Sequence, residues 1–503
     1  MDIFDSDFVH SCVLYETVTS KFIEKYTRDL LYFQYIEQWK FFNNYYYAEH
    51  VNWPGRHTLI KWMFGHLHDI GRGNGKTADA FHWRRSQITK NGAHTWRMLH
   101  RPILLVYSPK LVKMFLNIDE NGVKKNGMIQ RIFPKIMRNS IIFRDGADWK
   151  THKKLLLPFF HSGSLQKFTN HFIDATNGLI KCWSKNAQRE LSFRIDNDLQ
   201  LLTLRTIMNS LLGMDIDLTD DQSNPNGLPA SFKSICKMTQ IPKKLKTLIS
   251  RLPILWRFTS EGRNADKVCK TMKRLVTNIR TTSKERKLDS DMAHFLSTKG
   301  LSKDEITSDI FAFIFAGHET SKLTLSWCFY ELSRRPELQE EIFNEFKSEE
   351  AKGTSFQDLI NKENILTSFI SEIQRFYSIA PEIAPRVLTK AIKLPNGTVA
   401  PAGTHYMVGI WECHMNPYAW HEPEIFKPRR FLDDRIEPCS FIPFSGGQRK
   451  CIGYKYALLQ VRTVVLLMIK SFHFISDPTH KVNMTRVMTM SPHDGVKLSV
   501  QLR

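Results

Sequence analysis

Cys451 lies in the run Phe444-Ser-Gly-Gly-Gln-Arg-Lys-Cys-Ile-Gly453, the setting in this chain best suited to do chemistry. Gly446, Gly447 and Gly453 permit a tight turn and let backbone approach something flat and bulky. Arg449 beside the cysteine, and the helix start expected in Ile452-Gly-Tyr-Lys-Tyr-Ala-Leu-Leu459, favour a thiolate through charge, backbone N–H groups and the positive helix end. A cysteine on its own is more often an inert buried residue, and it is the agreement of the whole run that argues otherwise. A second group is Glu319-Thr320, an acid next to an alcohol, suited to passing protons. It sits in Ala316-Gly-His-Glu-Thr-Ser321, between the apolar stretch Ile310–Phe315 and Leu323, Leu325, Trp327 and Phe329, a pattern that predicts a long helix crossing the interior. Gly317 within it costs about 1 kcal/mol relative to alanine, which invites a reason. The plainer alternative has Thr320 bonding back to the carbonyl four residues earlier and Glu319 as an ordinary polar position. Glu372 and Arg375, three residues apart, share one helix face and can form a salt bridge, a weak signal alone.

The run from Phe444 to Gly453 matches the haem-cysteine signature of the cytochromes P450, Phe-x-x-Gly-x-Arg-x-Cys-x-Gly, at every fixed position, and the chain resembles that family. The resemblance implies haem b with Cys451 as axial thiolate to its iron, a ligand that pushes electron density onto the metal and favours O–O cleavage. It implies that Ala316, Gly317, Glu319 and Thr320 belong to the helix over the haem, with Glu319 and Thr320 delivering protons. Glu372 and Arg375 resemble the family's Glu-x-x-Arg pair, and Phe426-Lys-Pro-Arg-Arg-Phe431 its Pro-Glu-Arg-Phe box, so Arg430 is the implied third member of a structural triad. Arg429 stands where that box often carries Glu, without consequence for the triad. Trp149-Lys-Thr-His-Lys153 resembles the Trp-x-x-x-Arg motif that holds a haem propionate; lysine keeps the charge but loses the bidentate fork. Arg386 takes the place of a strand arginine that also meets a propionate, and Phe444, Arg449 and Gly453 complete the cofactor-binding set. Glu331-Leu-Ser-Arg-Arg-Pro336 resembles a helix junction of the family, where Pro begins the next helix. The motifs are strong from Trp149 to the C-terminus and weaker from Pro54. The Phe444–Gln448 run and the segment Leu394–Gly403 look similar to fungal members.

In function the resemblance implies a reductase-dependent haem-thiolate monooxygenase that inserts one atom of O2 into a C–H bond of an apolar small molecule, the other leaving as water. Electrons would come ultimately from NADPH through a cytochrome P450 reductase or similar flavoprotein. Phe311, Phe315, Ala380, Ile383 and Ala384 are the implied pocket residues. Two alternatives stand beside it. One is an isomerase or dehydratase of the same fold without O2 activation, which typically lacks the acid–alcohol pair. The other is a non-enzymatic haem-binding or basic-surface-binding protein.

The elements that must position these groups belong to a chain of 503 residues with no repeat and no long flexible linker. The expected fold is mainly α with a minor β portion, the cytochrome P450 fold, over residues 54–503, preceded by an aromatic-rich segment, 1–53, with an affinity for membranes. Hydrophobic residues make up 42% and include 34 Phe, enough for a large core. Cys12, Cys182, Cys236, Cys269, Cys328, Cys413, Cys439 and Cys451 form no CxxC pair, the pattern of a reduced, cytosol-facing protein. The sequons at Asn396 and Asn483 therefore carry no weight. The net charge of +21 has no nucleic-acid-binding signature to serve, so no nucleic-acid partner is expected. Lys150, Lys153, Lys154, Lys427, Arg429, Arg430, Lys450 and Lys455 would instead surround the thiolate side and steer an acidic electron donor, apart from those engaged by propionates or the triad. Ile241–Trp256 mixes basic residues with Leu, Ile and Trp, as an amphipathic segment on an anionic membrane does; an ordinary solvated helix fits equally. Met1–Tyr47 contains no run of about 18 apolar residues, leaving an interfacial helix, a diverged start or a missing first exon as readings. A membrane-surface location on the cytosolic face of the endoplasmic reticulum is the expectation. Gly71–Thr77 looks like a phosphate loop but has Ile70 where the pattern needs Gly, and His318 as a second axial ligand would block oxygen.

Overall fold

Helices along this chain follow its apolar periodicity and its caps. The computed structural model describes residues 85–98, 101–125, 135–214, 292–486 and 488–503, with isolated positions between 263 and 277. The segment 1–53, the Gly71–Thr77 loop and the 241–256 cluster lie outside the described residues. In chain order the helices are α1 (Pro109–Leu116), α2 (Gly146–Leu156), α3 (Ser162–Gln188), α4 (Asp196–Leu212), α5 (Met292–Thr298), α6 (Lys303–Ser333), α7 (Pro336–Ala351), α8 (Phe356–Asn361), α9 (Ile365–Tyr377), α10 (Ile410–His414), α11 (Arg430–Asp433) and α12 (Tyr454–Ser471). The fold is mainly α, with four small sheets among the described residues.

The spine is α6. Ser302 and Glu305 close a capping box at its start, Ser302 Oγ accepting from the Glu305 amide (3.3 Å) and Glu305 Oε2 accepting from the Ser302 amide (2.9 Å). Its apolar residues face inward on nearly every side, as expected of a helix enclosed by others. It ends where Pro336, which cannot extend a helix but suits a first turn, opens α7. Helices α3, α4, α6, α9 and α12 enclose the larger core. A smaller core lies between α1 and the largest sheet, whose strands β1 (Ala93–Met98), β2 (Arg101–Val106), β3 (Val123–Lys125), β5 (Arg386–Leu388) and β8 (His405–Val408) run in the order β1-β2-β8-β5-β3. β4 (Phe193–Arg194) joins β9 (Phe472–Ser476) and β12 (Lys497–Leu502); β6 (Ile392–Lys393) pairs β7 (Val399–Ala400), and β10 (Met484–Arg486) pairs β11 (Met490–Pro492).

A buried polar knot connects the helical core to the chain leading into the Cys451 loop. Arg375 grips the Glu372 carboxylate through Nε and Nη2, both at 2.7 Å, and Arg430 Nε reaches Glu372 Oε1 at 3.3 Å. The remaining guanidinium donors satisfy backbone carbonyls: Arg375 Nη1 on His414 (2.9 Å) and Pro423 (2.8 Å), Arg430 on His421 (2.8 Å) and Ile425 (3.0 Å). Arg429, its neighbour, points outward to Glu341. His414 is fully buried, its Nδ1 against Ser378 Oγ (2.8 Å) and its Nε2 accepting from the Ile442 amide (2.9 Å). That bond fixes the tautomer and anchors the chain nine residues before Cys451.

Two histidines make stability depend on pH. Burial, and then the charge of Arg375, push His414 down to about 3, and burial pushes His318 down to about 4. Below pH 6.5 the unfolded chain therefore binds protons that the folded one refuses. Stability is complete above pH 6.5 and falls as pH drops toward 4, by about 1.4 kcal/mol per unit for each histidine. Urea unfolding at pH 7 and pH 5 should differ by about 4 kcal/mol from these two groups, and His414→Gln should remove its share of the slope.

Candidate active site

The Cys451 loop is seated on the end of α1. Gly447 has φ +63°, and a Cβ there would lie 2.1 Å from the Leu116 carbonyl oxygen, so only glycine fits. The Cys451 amide donates to Phe444 O at 3.0 Å and closes the turn, and Gly453 caps α12 just beyond. Cys451 is solvent-accessible although enclosed by protein, so its sulfur borders an internal cleft. Burial pushes its thiol up, opposed by the Gly453 amide and the charge of Lys450. A metal ion at Sγ would favour the thiolate and oppose that shift.

Arg449 does not serve the sulfur as its place in the sequence implies. Its guanidinium stacks 3.8 Å above the Trp149 ring, grips Glu120 through Nε (2.9 Å) and Nη2, and donates to Arg144 O (2.9 Å). This builds a compact charged cluster beside the cleft. Lys153 Nζ donates to Gln448 O (2.6 Å) and lies 4.9 Å from the Trp149 ring centroid. Arg386 approaches Glu120 to 4.0 Å. Directly across the β3–β5 pair from Arg386 stands Lys125, a residue with no sequence signal beyond its charge. Like charges in register destabilise a sheet, and burial with Arg449 and Arg386 nearby pushes the Lys125 ammonium down to about 7.

Lys125, Lys153, Arg386 and Arg449 thus outnumber the carboxylates of Glu120 and Asp145. The cluster is built for an additional anion, and the two carboxylates of haem would supply the missing charge. With Cys451 Sγ bordering the same enclosed region, the residues present fit haem b.

The other wall is α6. Ala316 is exposed, and Gly317 and Thr320 half-exposed, in a helix otherwise nearly closed to solvent, so this stretch borders the cleft. Phe160 connects the two walls: its ring is 5.4 Å from Phe313 of α6, and a Cβ on Gly453 would sit 3.7 Å from it. Gly317 has a packing reason: a Cβ there would come within 2.9 Å of Ile207 Cδ1 on α4, so glycine lets two helices cross closely. Thr320 Oγ1 donates to Ala316 O at 2.7 Å, the local back-bond that was the plainer alternative. Glu319 is paired with Lys322 (2.7 Å), and His318 donates from Nδ1 to Ile314 O (2.7 Å), which keeps it a packed interior residue. Of the implied pocket residues, Ala384 is exposed and Ala380 and Ile383 half-exposed. Phe311 has no accessible surface and Phe315 almost none, and both belong to the larger core.

Of the basic residues assigned to the thiolate side, Lys150, Lys154, Lys427, Arg429, Lys450 and Lys455 are exposed, and Arg430 is buried in the polar knot.

Comparison with known proteins identifies the family. The family model described as cytochrome P450 matches residues 54–500. Among curated proteins, the chain is 28% identical to cytochrome P450 4A12B of Mus musculus, over 74% of this chain and 76% of that protein. It is 27% identical to cytochrome P450 4F5 of Rattus norvegicus, over 83% of each, and 25% identical to cytochrome P450 4Z1 of Homo sapiens, over 78% and 80%. Removing one of the four cations should loosen the cofactor: in Lys125→Met, transfer of haem to apomyoglobin should run about tenfold faster, as losing one charge-assisted contact implies, and Lys125→Arg should restore the slow rate.

Proposed function

This chain belongs to the cytochrome P450 family and is a haem-thiolate monooxygenase, an oxidoreductase; we propose that it hydroxylates a C–H bond of an apolar small molecule with electrons from an NADPH-dependent reductase. The observation that carries this reading is the accessible Cys451 sulfur in a glycine loop beside a cation-rich, Trp149-centred cluster. Haem bound there supplies the activation of dioxygen, which the protein does not perform itself. The protein's share is to hold, orient and deliver protons. Trp149, Lys125, Lys153, Arg386 and Arg449 would hold the cofactor's carboxylates. The Glu372–Arg375–Arg430 knot keeps the chain entering the Cys451 loop in place. Ala316 and Gly317, without bulk, leave room on the cleft side of α6, and Ala380, Ile383 and Ala384 give an apolar wall for the substrate.

Protons reach the cleft through Glu319 and Thr320. Glu319 exchanges protons at Oε2 when its bond to Lys322 opens, and Thr320 Oγ1, turned away from Ala316 O, accepts a proton on a lone pair as it releases its own hydroxyl hydrogen toward the cleft, then rotates back. Delivery by two side chains rather than bulk water keeps the cleft dry and limits loss of electrons as peroxide. The exposed lysines on the thiolate side suit an acidic flavoprotein donor. Among the described residues no helix is long and apolar enough to cross a membrane. The proposal puts the protein on the cytosolic face of the endoplasmic reticulum, held by the aromatic-rich segment 1–53 and the basic, apolar stretch Ile241–Trp256.

The first test is the carbon monoxide difference spectrum of the dithionite-reduced protein. A Soret band near 450 nm is expected from thiolate ligation; a clearly blue-shifted band would remove Cys451 as ligand. In Thr320→Ala, assayed with reductase on a panel of apolar substrates, product formation should fall about a hundredfold while NADPH consumption continues as peroxide. Unchanged coupling would defeat the assigned role of Thr320.

A further inference from the structure

Two buried side chains outside the cluster and the cleft join α2 to α6. His152 Nε2 donates to Asp309 Oδ2, with side chains 5% and 0% exposed. Asp309 Oδ1 accepts from the Ile141 amide at 2.9 Å, so the carboxylate is held on both oxygens. One turn earlier on α6, Glu305 is gripped by Arg144 (2.7 Å), which also binds Asp148 of α2 (2.9 Å) and whose carbonyl receives Arg449.

The helical repeat gives this arrangement its meaning. At 100° per residue, Glu305, Asp309, Ala316 and Thr320 fall within about 60° of one another on α6. The stripe that is clamped in the first two turns is the stripe that borders the cleft two turns later. On α2, Trp149 and Lys153 lie on one face, toward the cofactor-edge cluster, with His152 adjacent and turned to α6. A pair of buried ionisable groups is a poor way to gain stability, since well-packed apolar side chains do as well or better. What such a pair provides and apolar packing does not is direction: a carboxylate fixed on two donors stops a helix from rotating or sliding.

We propose that His152 and Asp309 are positioning residues for the reaction, setting the rotation and height of α6 against the cofactor-edge helix so that Ala316 and Thr320 face the cleft. Neither touches the reacting atoms. The inference rests on the proton-delivering role proposed for Thr320.

The test uses the haem-loaded protein and three variants. Asp309→Asn keeps side-chain volume and the acceptor for the Ile141 amide but loses the charged bond; His152→Gln keeps a donor at similar reach; Thr320→Ala is the control. The dithionite-reduced proteins are bound to carbon monoxide, and the infrared C–O stretching band, which senses polar groups on the oxygen side, is recorded. Urea stability and the rate of reoxidation in air-saturated buffer are measured on the same samples. Asp309→Asn and His152→Gln are expected to displace or broaden the C–O band to an extent comparable with Thr320→Ala and to reoxidise at least threefold faster. The double variant should be no worse than either single one, because a single interaction is lost. Lower urea stability with the wild-type band and reoxidation rate would mean a merely structural pair and would overturn the inference. If Thr320→Ala itself leaves the band in place, the reading of Thr320 fails first. If Thr320→Ala moves the band and the other two do not, the inference alone fails. Should Asp309→Asn not fold, His152→Gln decides by the same criteria.

Discussion

The Glu372 carboxylate sits between two guanidinium groups with no access to solvent, and much of the molecule is arranged around that fact. A buried ion pair is strongly destabilising once a partner is lost, by about 3–5 kcal/mol, so every donor of Arg375 and Arg430 must find an acceptor. Those acceptors are backbone carbonyls of residues 414–425, a stretch with little regular structure of its own. Charge thus imposes order on chain that apolar packing would leave loose. His414, Ser378 and the Ile442 amide carry the same order on toward Cys451, which is how a salt bridge on one helix determines where a sulfur lies.

A different electrostatic logic governs the cofactor edge. The knot is closed: its two cations meet one carboxylate and a full set of carbonyls. The cluster around Trp149 is open. Lys125 and Arg386 oppose each other across a β ladder, Arg449 stacks on the indole, and Glu120 and Asp145 answer only part of the charge. Repulsion of this kind persists in a fold where something binds to relieve it. The contrast is between a satisfied network that holds structure and a cluster whose cations outnumber its carboxylates.

α6 connects both regimes. Its capping box fixes where it begins, the Arg144 and His152 contacts fix its first turns, and its middle borders the cleft. Gly317 lies where α4 crosses closely, with Ile207 Cδ1 2.9 Å from where a Cβ would stand.

The residues proposed to carry chemistry stood out in the sequence because their signals are local. The glycine spacing around Cys451, the acid–alcohol pair in an apolar run, and Glu372 and Arg375 three apart on a helix all depend on neighbours along the chain. So did the mainly α architecture, since helical periodicity and caps are written within a few residues. What tertiary structure alone decided concerns partners distant in sequence. Lys125 meets Arg386 only through the pairing of β3 and β5, and Asp309 meets His152 only because two helices pack together. Arg449, expected beside the sulfur, turned to Trp149 and Glu120 because a buried guanidinium goes where an aromatic face and a carboxylate together satisfy it. Phe311 and Phe315, expected at the pocket, are buried in the larger core, and hydrophobicity alone says that a side chain is buried and not which side of a helix the cleft lies on. Sequence specifies residue types and local periodicity; which charges meet, and which face of a helix stays open, is set by packing over distances that no local pattern encodes.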